Sequence, residues 1–272
     1  MNLSQLTQVA TEAAIAAGQV IQKAIGEEVP VEEKQGGESY ASQVVTAVDK
    51  AAEAVILSHL LPTCEAFGLA LLSEETEDDG SRFEKDFFWC IDPMDGTLPF
   101  IRKQPGFSVS IALVDKGGTP HLGVVADPST NTLYHAIRGE GAWKNNKPWT
   151  IQNTNNHLTY VTDRPLKDTP RADDIRQFLR QQVEKLGLSG VREWAGGGAV
   201  LNAIRVLENG PACMLKFPKK EQGGGSIWDF AATSCIFQEA DRPATSFNGN
   251  PLDLNRQGST FMNHEGVLYL NL

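Results

Sequence analysis

Cysteine is scarce in this sequence, and long apolar runs are missing. Among 272 residues there are four cysteines, and none of them shows the C-x-x-C spacing of a zinc or redox site. Cys90 and Cys235 lie within apolar segments, so we interpret them as small buried side chains in a reducing, cytoplasmic environment. The N-terminus lacks the basic start and apolar core of a signal peptide, and no run approaches the ~20 apolar residues of a membrane-spanning helix. The pattern excludes a disulfide scaffold and predicts no membrane association.

Positive charge is in short supply as well. Lysine and arginine number 24 against 34 aspartates and glutamates, which gives a formal net charge of -10 and a pI near 5.0. So acidic a chain does not present the basic surface that nucleic acids require, and we predict no nucleic-acid partner. The same charge would repel an anionic substrate unless bound metal ions reversed the local field. The length is sufficient for a large core, as one domain or two fused layers.

One short stretch concentrates the acidic groups at the end of a predicted strand. The apolar run from Phe87 to Ile91 leads directly into Asp92-Pro93-Met94-Asp95-Gly96-Thr97. Pro93 lacks a backbone donor, so we expect the chain to leave the sheet there, and Gly96 permits a turn before a helix starting at Thr97. Two carboxylates and a hydroxyl therefore crowd onto one turn. A divalent cation is the usual way to neutralise such a cluster.

This hexapeptide resembles the DPxDGT motif of the inositol monophosphatase superfamily, whose members are magnesium-dependent, lithium-sensitive phosphomonoesterases. Three further segments resemble family motifs in the expected order: Val45-Thr46-Ala47-Val48-Asp49 (VTxxD), Ser73-Glu74-Glu75 (EE), and Trp228-Asp229-Phe230-Ala231-Ala232 followed by Glu239-Ala240 (WDxAA…EAG). The resemblance covers nearly the whole chain. It implies a layered αβαβα sandwich, a small phosphorylated substrate and a possible homodimer.

The resemblance also implies roles for individual residues. Two or three Mg²⁺ ions would bind, and Asp92 would bridge two of them. The implied metal ligands are Glu74, Asp92, the carbonyl group of Met94, Asp95 and Asp229. The implied catalytic residues, which orient and activate a water, are Asp49, Glu74 and Thr97. The implied substrate contacts are Asp95, Gly96, Thr97, Gly197, Gly198 and Asp229.

Each of these motifs also has a purely structural interpretation. Thr46-x-x-Asp49 is the pattern of a capping box, and Asp229 is able to cap a helix that begins near Trp228. The Glu74-Glu75 pair alone is typical of an exposed surface. Taken together, the four segments favour a metal site.

The hydrophobic pattern predicts an α/β chain with two halves. We expect an amphipathic helix over Leu3–Ile25, a loop or exposed hairpin over Glu27–Ser42, and a helix from Thr46 that ends before Pro62. In the loop, Glu32, Glu33 and Lys34 are either a solvated charge run, which we favour, or a contribution to the metal site. A meander of antiparallel strands follows Phe107, and strands alternate with helices beyond Ile151 in a mixed or parallel sheet. The predicted halves are residues 1–151, with most metal ligands, and residues 152–272, with Asp229 and the substrate-side loops.

The segments that would frame the substrate depart from the common family pattern. A glycine triplet, Gly196-Gly197-Gly198, replaces the usual Gly-Ser-Ser or Gly-Thr-Ala, and the loop Lys216–Ser226 is longer than usual. Glu221 is a candidate for contacting ring hydroxyls of an inositol phosphate. Lys219 or Lys220 would meet a second phosphate if the substrate were instead 3′-phosphoadenosine 5′-phosphate, as in the 3′(2′),5′-bisphosphate nucleotidase branch. A catalytically silent sensor of metal or phosphate is a third hypothesis, which the complete set of acidic residues disfavours.

Overall fold

The computed structural model describes residues 1–27, 31–33 and 44–272, without side chains at residues 31–33, 44 and 45. Its helices are α1 (Leu3–Ala24), α2 (Ala47–Phe67), α3 (Thr97–Ile101), α4 (Ala172–Leu186), α5 (Ala199–Glu208) and α6 (Ile227–Glu239), with 3₁₀ turns at Ser81–Phe83 and Leu166–Asp168. The expectation for Lys34, and for the side chains of Glu32 and Glu33, lies outside the described residues. No helix within the described ranges is long and apolar enough to cross a membrane.

Within the described residues, the strands form three sheets. A short antiparallel pair consists of β1 (Val31–Glu33) and β2 (Val44–Thr46). The larger sheet has the order β3-β4-β5-β6-β7-β8-β9, where β3 is Ala70–Ser73, β4 is Phe87–Asp95, β5 is Ser108–Asp115, β6 is Pro120–Asp127, β7 is Thr132–Ile137, β8 is Gly141–Lys144 and β9 is Lys147–Pro148. The second has the order β11-β10-β12-β14-β13, where β10 is Leu158–Thr162, β11 is Val191–Ala195, β12 is Ala212–Lys216, β13 is Ala244–Thr245 and β14 is Val267–Asn271.

The strand directions agree with the predicted difference between the sheets. The seven-stranded sheet is antiparallel except for the β3–β4 pair. In the five-stranded sheet, β10 pairs in parallel with both β11 and β12, while β14 runs antiparallel to β12 and β13. The alternation of strands and helices did not predict β13 or β14. The division into halves at residue 151 stays a prediction.

The sheets and helices stack in five layers. Helices α1 and α2 cover one face of the seven-stranded sheet, where Trp89 and Ile91 of β4 point. Helices α5 and α6 lie between the two sheets, against the opposite face of β4 that carries Phe88 and Cys90. Helix α4 covers the outer face of the five-stranded sheet through Ile175 and Leu179. The predicted αβαβα sandwich is therefore confirmed.

Small residues bring α6 unusually close to the larger sheet. Ala231 and Ala232 are fully buried, and a side chain at Gly123 of β6 would collide with the backbone of Ala232. The alanines that follow Trp228-Asp229 thus have a packing role, because they seat the start of α6 against the sheet. This contact holds Asp229 near the carboxyl end of β4.

Two predictions about proline were wrong. Helix α2 does not end before Pro62 but continues to Phe67, and Gly68 ends it in the left-handed conformation. A proline inside a helix costs roughly 3 kcal/mol, but here the last turns are held by burial of Leu60 and by the Trp89 Nε1 hydrogen bond to Thr63 Oγ1 at 2.9 Å. Tertiary contacts therefore override the local preference.

The second error concerns the end of β4. The chain does not leave the sheet at Pro93, because β4 pairs with β5 as far as Asp95. The pairing register shifts between Asp92 and Asp95, so Pro93 lies in a bulge where no ladder hydrogen bond is required of it. The bulge keeps both aspartates on the sheet while changing the direction of the strand.

Candidate metal centre

The end of β4 places two buried carboxylates beside each other. Asp92 is 1% exposed and Asp95 is 6% exposed. The Met94 backbone N–H donates to Asp92 Oδ1 at 3.0 Å, which stabilises the bulge between the two aspartates. The local turn predicted from the hexapeptide is thus present in a modified form, as a β-bulge followed by Gly96 and the short helix α3.

Asp95 is tied to the start of α5. Its Oδ1 accepts the Ala199 N–H at 3.0 Å and its Oδ2 accepts the Val200 N–H at 2.9 Å. The backbone donors at a helix N-terminus are a favourable environment for a carboxylate. A side chain at Gly198 would collide with the Asp95 carboxylate. Gly198 therefore serves the close approach of α5 to Asp95, and the contact with substrate predicted for it stays a prediction.

Asp229 completes a group of three carboxylates. It occupies the first turn of α6, where its Oδ2 accepts the Ser226 N–H in a capping box. One oxygen from each of Asp92, Asp95 and Asp229 lies within 4.8 Å of the others. Asp92 and Asp95 belong to β4 and Asp229 belongs to α6. Only the packing of α6 on the sheet makes the three residues neighbours.

The carboxylates disturb each other's ionisation. Burial raises the pKa of Asp92 well above its ordinary value, and the neighbouring acidic groups raise it further. Burial and the charge of Asp229 raise the pKa of Asp95, although its two backbone donors oppose the shift. Burial also raises the pKa of Asp229. Such a group is unstable as three anions without a compensating positive charge.

Glu74 lies at the edge of this group rather than within it. It follows the last residue of β3, and its N–H donates to the Ile91 carbonyl oxygen at 3.2 Å, which continues the pairing with β4. Its side chain contributes to the raised pKa of Asp92 by charge and by a hydrogen bond. Glu74 therefore lies close to Asp92, and its metal-binding and catalytic roles stay predictions.

Asp49 and Thr97 form a hydrogen-bonded pair. The Thr97 hydroxyl donates to Asp49 Oδ1 at 2.9 Å and lies 3.2 Å from the Met94 carbonyl oxygen. The other Asp49 oxygen, Oδ2, accepts the N–H of Thr46 at 2.8 Å and its hydroxyl at 2.6 Å. Asp49 thus closes the capping box of α2 and also holds Thr97.

The donor set fits a hard divalent cation. The ligands offered are carboxylate oxygens with a carbonyl group nearby, which is the chemistry that Mg²⁺ and similar ions prefer. The raised pKa values of the three aspartates are the expected result when such a group carries no cation. A buried hydroxyl without a partner, Ser108 Oγ, lies on the strand that pairs with β4. The geometry and the chemistry therefore agree with a metal centre.

The model of the inositol monophosphatase family matches residues 2–269. The chain belongs to the inositol monophosphatase family. Among curated relatives, the inositol-1-monophosphatase of Synechocystis sp. is 31% identical over 259 residues, which are 93% of this chain and 83% of the relative. The Nus factor SuhB of Pseudomonas aeruginosa is 31% identical over 254 residues, or 91% of this chain and 88% of the relative.

Solved structures of the family share the fold. The inositol monophosphatase from Anabaena (Nostoc) sp. PCC 7120 superposes with a TM-score of 0.69 at 28% identity, covering 100% of this chain and 92% of that one. The 2′AMP-bound SaIMPase-II gives a TM-score of 0.70 at 25% identity, covering 98% and 89%. Membership of this family implies metal-dependent phosphatase chemistry on a small phosphorylated molecule, so the resemblance drawn from the four motifs is confirmed.

An ion pair near the candidate metal centre was not predicted from the sequence. Lys216 Nζ lies 3.2 Å from Asp163 Oδ2. Burial alone would lower the pKa of Lys216, but the charges of Asp163 and Asp229 more than offset it and raise the pKa. Lys216 ends β12 and Asp163 follows β10, and the carboxyl ends of adjacent parallel strands share one edge of a sheet. This rule about parallel strands could have predicted from the sequence that Lys216 and Asp163 lie close together.

The loop after Lys216 carries the remaining candidates. Lys219, Lys220 and Glu221 are exposed. The Lys219 N–H donates to the Asn263 carbonyl oxygen at 2.8 Å, and Asn263 Nδ2 contacts the Lys219 and Lys220 carbonyl oxygens. These bonds order the backbone of the loop, and substrate contacts by its side chains stay predictions.

Proposed function

We propose that this chain is a Mg²⁺-dependent phosphomonoesterase that hydrolyses inositol monophosphate or a similar small polyol phosphate. The observation that carries the proposal is the convergence of three carboxylates within 4.8 Å, two of them buried, together with the hydrogen bond from Thr97, just after β4, to Asp49 on α2. The Synechocystis relative is named an inositol-1-monophosphatase, which supports this substrate class.

In this proposal the acidic residues hold two or three Mg²⁺ ions. Asp92 would be the shared ligand, Glu74 and the Met94 carbonyl group would hold one ion, and Asp95 and Asp229 would hold another. When bound, Mg²⁺ supplies Lewis acidity that activates water and stabilises the leaving oxygen. The remaining work is done by residues of the chain.

Asp49 and Thr97 orient the attacking water. Because the Thr97 hydroxyl donates its hydrogen bond to Asp49, its oxygen lone pairs are left to accept a hydrogen bond from the attacking water. Asp49 is itself fixed by Thr46, so the hydroxyl cannot rotate freely. Glu74 assists as a second acceptor.

The backbone around the bulge receives the phosphate. The N–H groups of Gly96, Thr97 and Gly197 are the donors we propose for its oxygens, whereas the Gly198 N–H already donates to the Gly106 carbonyl oxygen at 2.7 Å. Gly96 adopts φ +87°, and a side chain there would collide with the Gly106 carbonyl oxygen. Glycine is therefore required where the chain folds back against the Gly106 loop.

The first test measures phosphate release with Mg²⁺ from inositol 1-phosphate, 3′-phosphoadenosine 5′-phosphate, fructose 1,6-bisphosphate and glycerol 2-phosphate. We expect inositol 1-phosphate to be preferred by about a hundredfold in kcat/KM, which is ~2.7 kcal/mol of transition-state discrimination. Asp92→Asn is the control for contaminating phosphatase. Lithium at millimolar concentration is expected to inhibit the wild-type protein, and full activity at saturating lithium would contradict the proposed metal arrangement.

The alternative substrate is 3′-phosphoadenosine 5′-phosphate. The Lys216–Asp163 pair favours it, because Lys216 provides a cation beside the carboxylates for a second phosphate. Lys216→Ala would then lower kcat/KM for this nucleotide at least tenfold while changing the value for a monophosphate much less. Equal losses on both substrates would reject the alternative.

A non-catalytic role is the hypothesis of a different class. The relative in Pseudomonas aeruginosa is named a Nus factor, whereas the Synechocystis relative is named for its phosphatase activity, and this difference motivates the hypothesis. Absence of phosphate release across the panel, with Mg²⁺ binding intact by calorimetry, would replace the phosphatase proposal with a sensor of metal or phosphate.

We also propose that two copies pair through β11. All five residues of this edge strand are exposed, including Val191 at 44% and Trp194 at 43%. The open edge of this strand can pair in antiparallel fashion with the same strand of a second copy about a two-fold axis, and Arg192 would lie within that pairing. Light scattering should show a dimer that Arg192→Glu weakens at least tenfold, whereas Arg176→Glu on α4 leaves it unchanged. An unaltered dimer in Arg192→Glu would place the interface elsewhere.

A further inference from the structure

A buried hydroxyl near the proposed metal centre has no hydrogen-bond partner. Among the described residues, the buried side-chain polar atoms without a partner are Ser108 Oγ, His135 Nδ1, Ser246 Oγ and His264 Nδ1. Ser108 is 0% exposed. An unsatisfied buried hydroxyl loses its hydration without a compensating hydrogen bond, so native proteins contain few of them. Of the four groups, Ser108 is the one whose cross-strand neighbour is a proposed metal ligand.

The sheet register places Ser108 beside the carboxylates. Ser108 on β5 is the Cα partner of Asp95 on β4, and Ser110 is the partner of Asp92. Residues two apart on a strand point to the same face, so Ser108 and Ser110 share the face that packs against α6. Ser110 shows where that face leads, because its hydroxyl donates to the Trp228 carbonyl oxygen at 3.2 Å. Trp228 immediately precedes Asp229.

Ser110 and Ser108 therefore have different tasks. The hydroxyl of Ser110 is satisfied by the backbone of α6, which is a structural contact between sheet and helix. Ser108 lies two residues further along the same face, at the level of Asp95, where the strand meets the carboxylate group. If the only role of Ser108 were packing, its hydroxyl would contribute no hydrogen bond at this position.

We propose that Ser108 is a positioning residue of the metal centre, whose hydroxyl forms a hydrogen bond with a water that the bound cation keeps in its shell. The proposal rests on the metal-dependent function proposed above. Mg²⁺ usually retains several waters, and a hydroxyl both donates and accepts. Outer groups of this kind commonly change metal affinity by 10–100-fold. The missing partner of Ser108 is thus supplied only when the cation is present.

The proposal predicts effects of opposite sign with and without metal. In Ser108→Ala, the metal-free protein loses an unsatisfied hydroxyl, so its Tm should be unchanged or higher. The same variant should bind Mg²⁺ about tenfold more weakly, because the water loses its partner. A serine with a merely structural role would lower the metal-free Tm and leave the Mg²⁺ affinity alone.

Ser110→Ala is the matched control on the same strand and face. Removing its hydroxyl leaves the Trp228 carbonyl group without that donor, so we expect a lower metal-free Tm and a Mg²⁺ affinity within twofold of wild type. Both variants remove one oxygen atom from a buried serine, and so differ only in the group that the hydroxyl meets.

The experiment is isothermal titration with Mg²⁺ on the wild-type, Ser108→Ala and Ser110→Ala proteins, with the metal-free Tm measured in parallel. Weaker binding in Ser108→Ala alone, without loss of metal-free Tm, supports the proposal. Equal affinity in all three proteins overturns it while leaving the metal centre in place. If the wild-type protein binds no Mg²⁺, although Asp92→Asn raises the metal-free Tm, the proposed function is overturned. The proposed role of Ser108 is then overturned as well, because it depends on that function.

Discussion

Helices α2 and α6 begin in the same way and serve the site differently. Each starts with a hydroxyl residue followed three positions later by aspartate, Thr46 with Asp49 and Ser226 with Asp229, and each forms a capping box. At α2 the second oxygen of the aspartate accepts the Thr97 hydroxyl. At α6 the aspartate faces Asp92 and Asp95 instead.

The comparison shows that a capping residue is not excluded from a functional role. A carboxylate has two oxygens, and the cap uses one of them. The surroundings of the other oxygen decide the chemistry: the Thr97 hydroxyl donates to the second oxygen of Asp49, whereas burial raises the pKa of Asp229. The structural interpretation of both motifs is confirmed, and their catalytic and metal-binding roles stay predictions.

Asp229→Asn should have the largest effect and separates the two helix starts most clearly. The amide oxygen still accepts the Ser226 N–H, so the cap survives, while the charge that a cation requires is lost. We expect kcat/KM to fall at least about a thousandfold, ~4 kcal/mol, and the metal-free Tm to stay equal or rise because repulsion is relieved. Phosphate release and calorimetry test this, and activity within tenfold of wild type would refute a metal role for Asp229.

Asp49→Asn should give a smaller kinetic loss and the opposite change in stability. Both Asp49 oxygens accept hydrogen bonds, so an amide group must face either Thr46 or Thr97 with its N–H₂. We expect kcat to fall about a hundredfold, as for loss of a general base, with a lower metal-free Tm and a Mg²⁺ affinity within twofold. A loss of Mg²⁺ affinity like that of Asp229→Asn would move Asp49 into the metal centre.

The pH dependence of the Mg²⁺ effect comes next in size. Raised pKa values mean that the folded protein binds more protons than the unfolded chain, so metal-free stability falls as pH rises from about 4 through the raised values. Mg²⁺ at ten times its Kd adds about 1.4 kcal/mol, and protons compete with it. The Mg²⁺-induced rise in Tm should therefore be larger at pH 8 than at pH 5. An equal rise at both values would indicate binding elsewhere.

The cap hydroxyls should have the smallest effects. The Thr46 hydroxyl accepts the Val48 N–H at 3.1 Å and donates to Asp49, so Thr46→Ala should cost about 1–2 kcal/mol in the free energy of unfolding. Ser226→Ala should cost less than about 1 kcal/mol, because the Ser226 backbone N–H still binds Asp229. Urea unfolding of both variants gives the comparison, and the reverse order would show that the α6 cap is the stronger one.

Much of the fold followed from local patterns in the sequence. Apolar residues at helical spacing predicted α1, and alternating residues after Phe107 predicted the antiparallel meander. The four motifs predicted the family and the acidic residues of the site. These features are local because hydrophobic period, turn residues and capping pairs act over a few positions. The substrate-side loops carry no such pattern, so the substrate stays a proposal.

Only the tertiary structure decided how these local elements meet. The packing of Ala232 against Gly123 places Asp229 beside Asp92 and Asp95, and no spacing in the sequence encodes that distance. On the opposite face of the sheet, the burial of Leu60 and the hydrogen bond from Trp89 to Thr63 keep α2 helical through Pro62, since these contacts outweigh the loss of one backbone hydrogen bond. Sequence by itself determined which groups were available for a metal centre. Burial and close packing decided which of them share it, because pKa shifts and unsatisfied hydroxyls arise only when side chains are removed from water together.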